Sequence, residues 1–229
     1  REEGLFDIPP AGAEAALVMA GYFADMVAER RQSAHNDLTG ALLASDSDGD
    51  RLSDDEVISF LFLLTVAGGE TTTKLLANAW YWGWRFPDQR SKVLDDPLRV
   101  GDWVEETLRF DPSTQMLLRV TNGEVQLCGN VVPDSARVLL LLGSANRDER
   151  VFPDPDRYDL DRDTTKLLSF GSGRHHCLGA PLARLEARVG LGELVRRVAD
   201  YDVDPGGAER VHSINVRGFA TLPTDVVLR

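Results

Sequence analysis

The chain has 229 residues, of which 43% are hydrophobic and 27% charged, so it can bury a core and is not expected to be disordered. Its 37 acidic and 25 basic residues give a formal net charge of −12, which argues against nucleic acid or an anionic membrane as the general partner. Two cysteines offer no disulfide framework and no run reaches the ~20 apolar residues of a membrane span, so we expect a cytoplasmic protein without such a span.

The first segments of the chain indicate helices and an acidic loop. Residues 11–31 place apolar side chains at spacings of three and four, as an amphipathic helix does, and a short helix is expected over 36–45. The acidic run SDSDGDRLSDDE (45–56) suggests a calcium-binding loop. Arg51 stands where such a loop needs glycine, and Val57 stands where it needs glutamate. The spacing therefore argues against calcium.

A long helix is expected next, at about 53–84. Ser53 and Glu56 have the spacing of a capping box, which opens a helix. The helix is apolar on most of its faces over 57–66, so we expect protein around it. The sequence AGGETTT (67–73) interrupts this run. Two adjacent glycines in a helix interior cost on the order of 1 kcal/mol each relative to alanine, so they require an explanation.

The remaining segments predict short helices and a small amount of sheet. The expected elements are helices at about 87–95, 99–110 and 179–199, a β region over 113–142 and short strands within 201–229. The last helix carries Leu182, Leu185 and Val189 on one face. Residues 146–176 lack regular periodicity, and a structured loop of that length usually carries a function. The expected fold class is mainly α with small β-sheets.

The segment SFGSGRHHCLGAPLARLEAR (169–188) is the strongest chemical signal in the sequence. Cys177 immediately precedes a predicted helix, whose N-terminus would stabilise a thiolate. Gly171, Gly173 and Gly179 surround it, and residues without a side chain let the backbone approach a flat partner closely. A ligand-binding loop around this cysteine is therefore one hypothesis that the sequence supports.

The residues alone leave several uses for Cys177 open. A catalytic nucleophile needs a base, but His175 and His176 are too near in sequence to be aimed reliably at the thiol. A zinc ligand needs three further protein ligands, and the few His and Cys residues elsewhere make a poor set. Axial ligation of haem iron needs only one thiolate. A buried structural cysteine in a glycine-rich turn is the fourth reading, and it is the default for Cys177 taken by itself. Cys128 lies in a predicted turn before Gly129 and is also interpreted as structural.

Four separated stretches of the chain, in order, together resemble the cytochrome P450 family of haem-thiolate monooxygenases. They are AGGET at 67–71, the Glu-x-x-Arg pair Glu106 and Arg109, Arg157 within PDPDRYDL, and FGSGRHHCLG at 170–179. The Glu-x-x-Arg pair has no specificity by itself, because any helix can offer it. The four stretches together, in this order, are highly specific.

The resemblance implies a site for haem b, iron protoporphyrin IX, with Cys177 as the proximal iron ligand. The residues implied to contact the haem are Ala67, Gly68, Arg119, Phe170, Gly171, His175, Cys177 and Gly179. Within this set, Arg119 and His175 would bind the propionates, since a guanidinium suits a carboxylate. The two glycines of AGGET would leave room for the macrocycle against the long helix.

The resemblance also implies a monooxygenase that takes two electrons from a redox partner and inserts one oxygen atom into a hydrophobic substrate. Glu70 and Thr71 would deliver protons for dioxygen activation. A charge-paired structural triad would fix the loop under the haem, since a single buried charge is costly. The triad consists of Glu106, Arg109 and Arg157.

Substrate and partner contacts are implied in two further places. Gln115, Met116 and Leu117 correspond to a stretch that borders the family's substrate pocket, although such a run is more often core. A basic patch near the thiolate would suit an acidic ferredoxin-type electron donor, with a solvated helix face as the alternative. The patch consists of Arg174, His176, Arg184 and Arg188.

The resemblance covers nearly the whole chain, yet the chain corresponds to the C-terminal half of the family's domain. Residues 1–229 are therefore expected to form the C-terminal portion of a single, N-terminally truncated P450 domain. The sequence could be a fragment, it could receive its N-terminal half from another chain, or it could be a haem-free or partner-binding module. A peroxide-driven haem-thiolate enzyme is a further alternative, but it would not need Glu70 and Thr71.

Overall fold

The computed structural model describes residues 9–33, 35–46 and 49–229. The helices are α1 (Pro10–Gln32), α2 (Leu38–Ala44), α3 (Asp54–Arg85), α4 (Pro87–Asp95), α5 (Val100–Phe110), α6 (Leu142–Ala145) and α7 (Ala180–Arg197), with single 3₁₀ turns at Pro97–Arg99 and Gly173–His175. The strands are β1 (Met116–Val120), β2 (Val125–Leu127), β3 (Asn130–Val132), β4 (Arg137–Leu141), β5 (Val198–Val203), β6 (Glu209–Arg210), β7 (Phe219–Thr221) and β8 (Thr224–Leu228). The expectation of a mainly α fold with small sheets is confirmed.

The chain divides into two compact units, the first unit at residues 1–69 and the second unit at residues 70–229. In the first unit, α1, α2 and the start of α3 bury one apolar cluster. Its fully buried members are Phe23, Val27, Leu43, Val57 and Leu61. The expectation that protein surrounds the whole of 57–66 is wrong in this structure, because Leu63 and Val66 are exposed.

The capping box at the start of α3 is present. The Ser53 N–H and the Ser53 hydroxyl both donate to Glu56 Oε2 at 2.8 Å, and the Glu56 N–H donates to Ser53 Oγ at 3.3 Å. In the preceding acidic run, Asp46 accepts from the Gly49 N–H at 2.7 Å and from Arg51 Nε at 2.9 Å. Asp48, which belongs to the same run, lies outside the described residues.

α1 corrects the expectation that no segment of the sequence is apolar over the length of a membrane span. Among the described residues, this helix is long and apolar enough, by length and composition alone, to cross a membrane. Helices of soluble protein cores pass the same test. In the first unit α1 buries Phe23 and Val27 against α2 and α3, whereas Leu17, Val18 and Tyr22 of the same helix are exposed.

The second unit is built on aromatic packing between α3, α5 and β5. The Trp80 and Tyr201 rings stack with centroids 3.7 Å apart, and the Tyr201 hydroxyl donates to the Trp80 carbonyl at 2.9 Å. Trp103 Nε1 donates to the Ala79 carbonyl at 3.1 Å. Burying the polar atoms of Trp and Tyr with hydrogen-bond partners avoids the cost of leaving them unsatisfied.

Among the described residues, the sheets are four antiparallel strand pairs: β1 with β4, β2 with β3, β5 with β8, and β6 with β7. In the β2–β3 hairpin, Cys128 and Gly129 both have positive φ, 50° and 81°, as a two-residue primed turn requires. Residues 146–176 contain no α-helix or strand within this described stretch, as the sequence predicts. That segment leads directly into the cysteine loop.

Candidate functional site

The cysteine loop is held by its own backbone hydrogen bonds. The Cys177 N–H donates to the Phe170 carbonyl at 2.8 Å, and the Gly171 N–H donates to the Leu168 carbonyl at 2.8 Å. The Ala180 N–H donates to the Cys177 carbonyl at 3.2 Å, where α7 begins. The Cys177 side chain is exposed and forms no disulfide. The loop therefore presents a single thiol at the N-terminus of an 18-residue helix.

Glycine is required in this loop for conformation. Gly171 has φ +70° and Gly173 has φ +67°, in the left-handed region that costs other L-residues roughly 1–2 kcal/mol. At Gly179 an added Cβ would lie 3.9 Å from Cys177 Sγ, so glycine also keeps space beside the thiol. The sequence prediction of a glycine-shaped loop around Cys177 agrees with this geometry.

Glu106 and Arg109 form a fully buried ion pair below this loop. Arg109 Nε and Nη2 donate to the two Glu106 carboxylate oxygens, both at 2.8 Å. Arg109 Nη1 also donates to the carbonyls of Asn146 at 3.0 Å and Pro155 at 2.9 Å. Glu106 Oε1 accepts the Asp159 N–H at 2.9 Å. One bidentate pair on α5 therefore anchors the irregular segment that leads to the cysteine.

The third side chain of this group is Arg162, in place of the predicted Arg157. The Arg157 guanidinium is 63% exposed and lies 3.7 Å from Asp159 Oδ2. Only the Arg157 carbonyl joins the group, accepting from Arg109 Nη2 at 3.1 Å. The Arg162 side chain is 9% exposed, with Nε 3.5 Å from Glu106 Oε1. Asp154 has φ +49°, so the backbone turns there, and Arg162, five residues after Arg157, approaches Glu106.

Gly68 and Gly69 of α3 face open space. A Cβ added at Gly68 or Gly69 would meet no atom within 4 Å. In the second unit, Glu70 is exposed and Thr71 is half-buried. The Thr71 carbonyl accepts the Ser113 hydroxyl at 2.7 Å, which ties this turn of α3 to the segment after α5. The helix surface at these glycines could thus accept a flat ligand without displacing a side chain.

Two side chains predicted to bind the haem propionates form no ion pair among the described residues. Arg119 lies on β1, where its Nη1 donates to the neighbouring Leu118 carbonyl at 2.9 Å. His175 is exposed in the 3₁₀ turn of the cysteine loop. Both could accept a carboxylate ligand.

The donor set fits haem better than a metal ion chelated by protein alone. Within the described part of the chain, no group of three or more His, Cys, Asp or Glu side chains is placed to hold a metal. A porphyrin supplies four ligands to its iron, so one exposed thiol such as that of Cys177 is sufficient. Residues that fit the group are therefore present.

The residues predicted to border substrate have different environments. Gln115 Nε2 donates to the Pro112 carbonyl at 2.6 Å, and the Gln115 N–H donates to the Asn215 carbonyl at 2.8 Å. Its side chain therefore holds the local backbone. Met116 and Leu117 are half-buried on β1, opposite Leu141 and Leu140 of β4, and apolar surface remains accessible on them.

The basic patch near Cys177 contains one arginine that is already paired. Arg184 on α7 forms a bidentate ion pair with Glu105 on α5, at 2.5 and 2.9 Å, and this pairing raises the pKa of Arg184. Arg174, His176 and Arg188 are exposed. A cavity of about 750 Å³ lies on this side of the loop, and its lining includes Lys166, Phe170, His176, Arg184 and Arg188. No signal in the sequence identifies Glu105, because its partner lies 79 residues away.

A mainly helical fold with one exposed thiol in a glycine loop, anchored by a buried Glu–Arg pair, defines the class of haem-thiolate proteins. The family model for cytochrome P450 matches residues 100–226, more than half of the chain. This chain belongs to the cytochrome P450 family.

Individual relatives support the same assignment. Putative cytochrome P450 123 of Mycobacterium tuberculosis is 54% identical over all of this chain and 57% of its own length. Vitamin D(3) 25-hydroxylase of Pseudonocardia autotrophica is 41% identical over 89% of this chain and 51% of its own length. The structure of cytochrome P450 CYP109Q5 from Chondromyces apiculatus superposes with a TM-score of 0.91 and 39% identity, covering 94% of this chain and 56% of that one. The chain thus spans little more than half the length of these relatives.

Proposed function

We propose that this chain provides the haem-thiolate portion of a cytochrome P450 monooxygenase, which inserts one atom of dioxygen into a hydrophobic small molecule. The observation that carries the proposal is the exposed Cys177 thiol at the start of α7, in a loop whose glycines hold left-handed φ. The buried Glu106–Arg109 pair supports it by anchoring the segment leading into that loop. The 54% identity to a P450 of M. tuberculosis is consistent with this role.

Particular residues of this chain would hold the haem. Cys177 would ligate the iron through its thiolate, and Arg119 and His175 would bind the propionates through charge-assisted hydrogen bonds. The remaining contacts would come from Ala67, Gly68, Phe170, Gly171 and Gly179. Bound haem b would supply the redox-active iron at which dioxygen is reduced.

Glu70 and Thr71 would manage protons beside this centre. Glu70 is exposed at the turn of α3 that follows Gly69, so its carboxylate can exchange protons with solvent. Thr71, the next residue, can pass a proton through its hydroxyl to an acceptor at the helix surface. The Ser113 hydroxyl holds the Thr71 carbonyl and thereby fixes the position of this turn.

The substrate would be a hydrophobic small molecule. One relative is named for hydroxylation of vitamin D(3), which is a largely apolar molecule. On this chain, Met116 and Leu117 would contribute apolar contacts, and Gln115 would hold their segment in place. Electrons would come from an acidic, ferredoxin-type donor that docks on Arg174, His176 and Arg188. We place the reaction in the cytoplasm, where such donors are reduced.

The rest of the P450 domain would be supplied by an N-terminal segment, either as part of a longer protein or on another chain. This chain covers 57% of its M. tuberculosis relative. Apolar side chains at Leu139 and Leu141 of β4 are exposed, as expected for surfaces that another part of the domain covers. Substrate selection would depend on both parts.

The proposal is tested by the absorption spectrum of the reduced, carbon-monoxide-bound protein, with the N-terminal part of the M. tuberculosis relative supplied and haem added. We expect the strongly red-shifted Soret band of thiolate-ligated haem. Cys177→Ser should abolish this band, and Cys128→Ser, which changes the other exposed cysteine, should retain it. No haem binding in any combination would contradict the proposal and favour a non-catalytic module.

The proton role of Glu70 and Thr71 is tested separately. Thr71→Ala should leave haem binding unchanged and divert electrons from product to hydrogen peroxide, because proton delivery is no longer controlled. The ratio of product formed to reduced donor consumed measures this diversion. A ratio equal to that of the unmodified protein would exclude the relay, and efficient turnover with peroxide alone would favour the peroxide-driven alternative.

A further inference from the structure

The ion pair between Glu105 and Arg184 lies beside the cysteine loop. Glu105 is the residue immediately before the buried Glu106. Arg184 Nε and Nη2 donate to the two oxygens of Glu105, at 2.5 and 2.9 Å. Both side chains are about one-quarter exposed, so the pair is only partly screened by solvent. It joins α5 to the second turn of α7. Neither residue belongs to the Glu-x-x-Arg motif.

The Arg184 guanidinium also covers an aromatic ring of the loop. Its Cζ lies 4.5 Å from the centroid of the Phe170 ring, within the range of a cation–π interaction. Glu105 accepts from two of the three guanidinium nitrogens, so the planar group has little freedom to leave the ring. The Phe170 side chain is thus held by a charged group that belongs to a helix, whereas its backbone belongs to the loop.

Phe170 connects this contact to the cysteine. Its carbonyl accepts the Cys177 N–H at 2.8 Å, which closes the loop over seven residues. A shift of the Phe170 ring would move its backbone and lengthen that hydrogen bond. The direction of the Cys177 side chain depends on the same peptide group, because the amide nitrogen and the side chain of Cys177 are bonded to the same Cα atom.

We propose that Glu105 and Arg184 are positioning residues that set the Cys177 thiol through the Phe170 ring. Arg184 is therefore a structural element of the thiolate loop, and its charge is committed within the chain. The functional importance of the thiol position rests on the proposed function, in which Cys177 is the iron ligand. The effect on the loop is a property of this chain and can be measured without haem.

Arg188 provides a matched control for Arg184. It lies one turn further along α7, lines the same cavity and is exposed, with no ion pair or ring contact in the described structure. Substitution at either site removes one positive charge from the same helix. Only substitution of Arg184 removes the contacts with Glu105 and Phe170.

The experiment is amide hydrogen exchange of the chain without haem, followed at residues 169–178. Arg184→Met should accelerate exchange of the Cys177 and Gly171 amides by about tenfold, since the contacts that hold the closed loop are lost. Arg188→Met should change these rates less than about twofold. Unchanged rates in Arg184→Met, or equal increases in both variants, would overturn the proposal.

A variant in which the two charges are swapped distinguishes positioning of the cysteine loop from general stabilisation of the fold. The double variant Glu105→Arg with Arg184→Glu can re-form an ion pair between α5 and α7, but it places a carboxylate at the position that faces the Phe170 ring. A carboxylate is repelled by the negative face of the ring. We expect the melting temperature to recover relative to Arg184→Met while loop exchange stays fast. Recovery of loop protection would show that the ion pair alone is sufficient and would refute the role of the ring.

The conservative variant Arg184→Lys keeps the test interpretable if Arg184→Met does not fold. Lysine retains the charge but cannot make the bidentate, planar contact. Exchange at Cys177 should lie between the rates of the unmodified chain and the faster rates of the charge-exchange variant. Exchange as slow as in the unmodified chain would mean that charge alone positions the loop, which contradicts the proposal. Failure of haem binding in the unmodified chain would count against the proposed function only.

Discussion

At the scale of single residues, the buried Glu106–Arg109 ion pair joins the segment before the cysteine loop to α5. Arg109 uses its guanidinium for Glu106 and for the carbonyls of Asn146, Pro155 and Arg157. Breaking a buried pair by removing one partner typically costs about 3–5 kcal/mol, because the remaining charge has no compensation. Arg162 adds a second cation at 3.5 Å from Glu106. The stability of this group therefore depends on side chains from two distant parts of the chain.

We expect substitution of Arg162 and substitution of Arg157 to lower the free energy of unfolding by different amounts. Arg162→Met removes a nearly buried cation that donates to the carbonyls of Pro153, Asp154 and Arg157, and we expect the free energy of unfolding to fall by roughly 2–3 kcal/mol. Arg157→Met removes an exposed partner of Asp159, and we expect a loss under about 1 kcal/mol. Urea denaturation of both variants measures the difference. A larger loss in Arg157→Met would restore the original sequence prediction.

At the level of elements, α3 combines tightly packed and open positions on one helix of 32 residues. At Gly83, an added Cβ would lie 2.6 Å from Tyr201 Oη and 2.7 Å from Trp103 Cζ2. At Gly68, it would meet nothing within 4 Å. Glycine therefore occupies these two positions for different physical reasons. Gly83 permits close packing inside the second unit, and Gly68 leaves free space at the helix surface.

Alanine substitution should reveal this difference with opposite signs. Gly83→Ala should lower the free energy of unfolding by about 1–3 kcal/mol, because the aromatic core must shift to admit the methyl group. Gly68→Ala should raise the intrinsic stability of the helix by about 1 kcal/mol. Thermal unfolding of the haem-free variants checks both. Destabilisation by Gly68→Ala would show that its surroundings are filled.

The capping box of α3 should make the start of this helix sensitive to acid. The Ser53 N–H, followed by the Ser53 hydroxyl, holds the pKa of Glu56 below its ordinary value. A carboxyl group with a lowered folded pKa stabilises the helix start above its unfolded pKa of about 4.3, and the contribution is lost as pH falls through the lower folded value.

An NMR titration of the Glu56 carboxyl group tests this assignment. In Ser53→Ala the pKa should rise part of the way back, since the hydroxyl contact is lost and the backbone contact remains. Asp37 provides an internal control. Its pKa is lowered by the Gly40 N–H and Arg30, and it should not respond to the substitution. An unchanged pKa of Glu56 in Ser53→Ala would contradict a role of the hydroxyl.

At the scale of the whole molecule, the second unit exposes apolar surface on regular elements. On α7, Leu182, Leu185 and Val189 are 50%, 58% and 58% exposed, while the opposite face buries Ala187 and Leu191. The sequence places those three side chains on one face, and the structure leaves that face uncovered. Exposed apolar patches on monomers usually mark surfaces that bind something. The chain's coverage of only 57% of its M. tuberculosis relative agrees with this picture.

The chain alone should therefore associate with itself as its concentration rises. Light scattering should report a mass that increases with concentration, because burial of this stripe releases roughly 25 cal/mol for each Å² of apolar surface. Replacing Leu182, Leu185 and Val189 with Gln, Gln and Thr should reduce this association. The control is Leu98→Gln, an exposed residue away from α7. Equal effects of the two changes would argue against the stripe.

Local signals in the sequence determined the elements of this protein and the identity of its central residue. Helix periodicity, the capping box and the glycine turns act over a few residues, and the predicted bounds of α3, α4 and α5 lie within one or two residues of the structure. Cys177 was identified from its own loop and from the order of four motifs. The Glu106–Arg109 pair was likewise predictable, since both residues lie on one helix turn.

Tertiary structure alone decided which distant side chains meet. Arg162 reaches Glu106 across 56 positions, and Arg184 reaches Glu105 across 79, through the packing of α5 against α7 and the irregular segment. No periodicity encodes such distances, because they depend on how the elements pack. Packing also decided that the apolar face of α7 stays exposed. The sequence by itself therefore determined the elements and the glycine-rich loop that contains Cys177, and the three-dimensional contacts determined which distant side chains meet beside that loop.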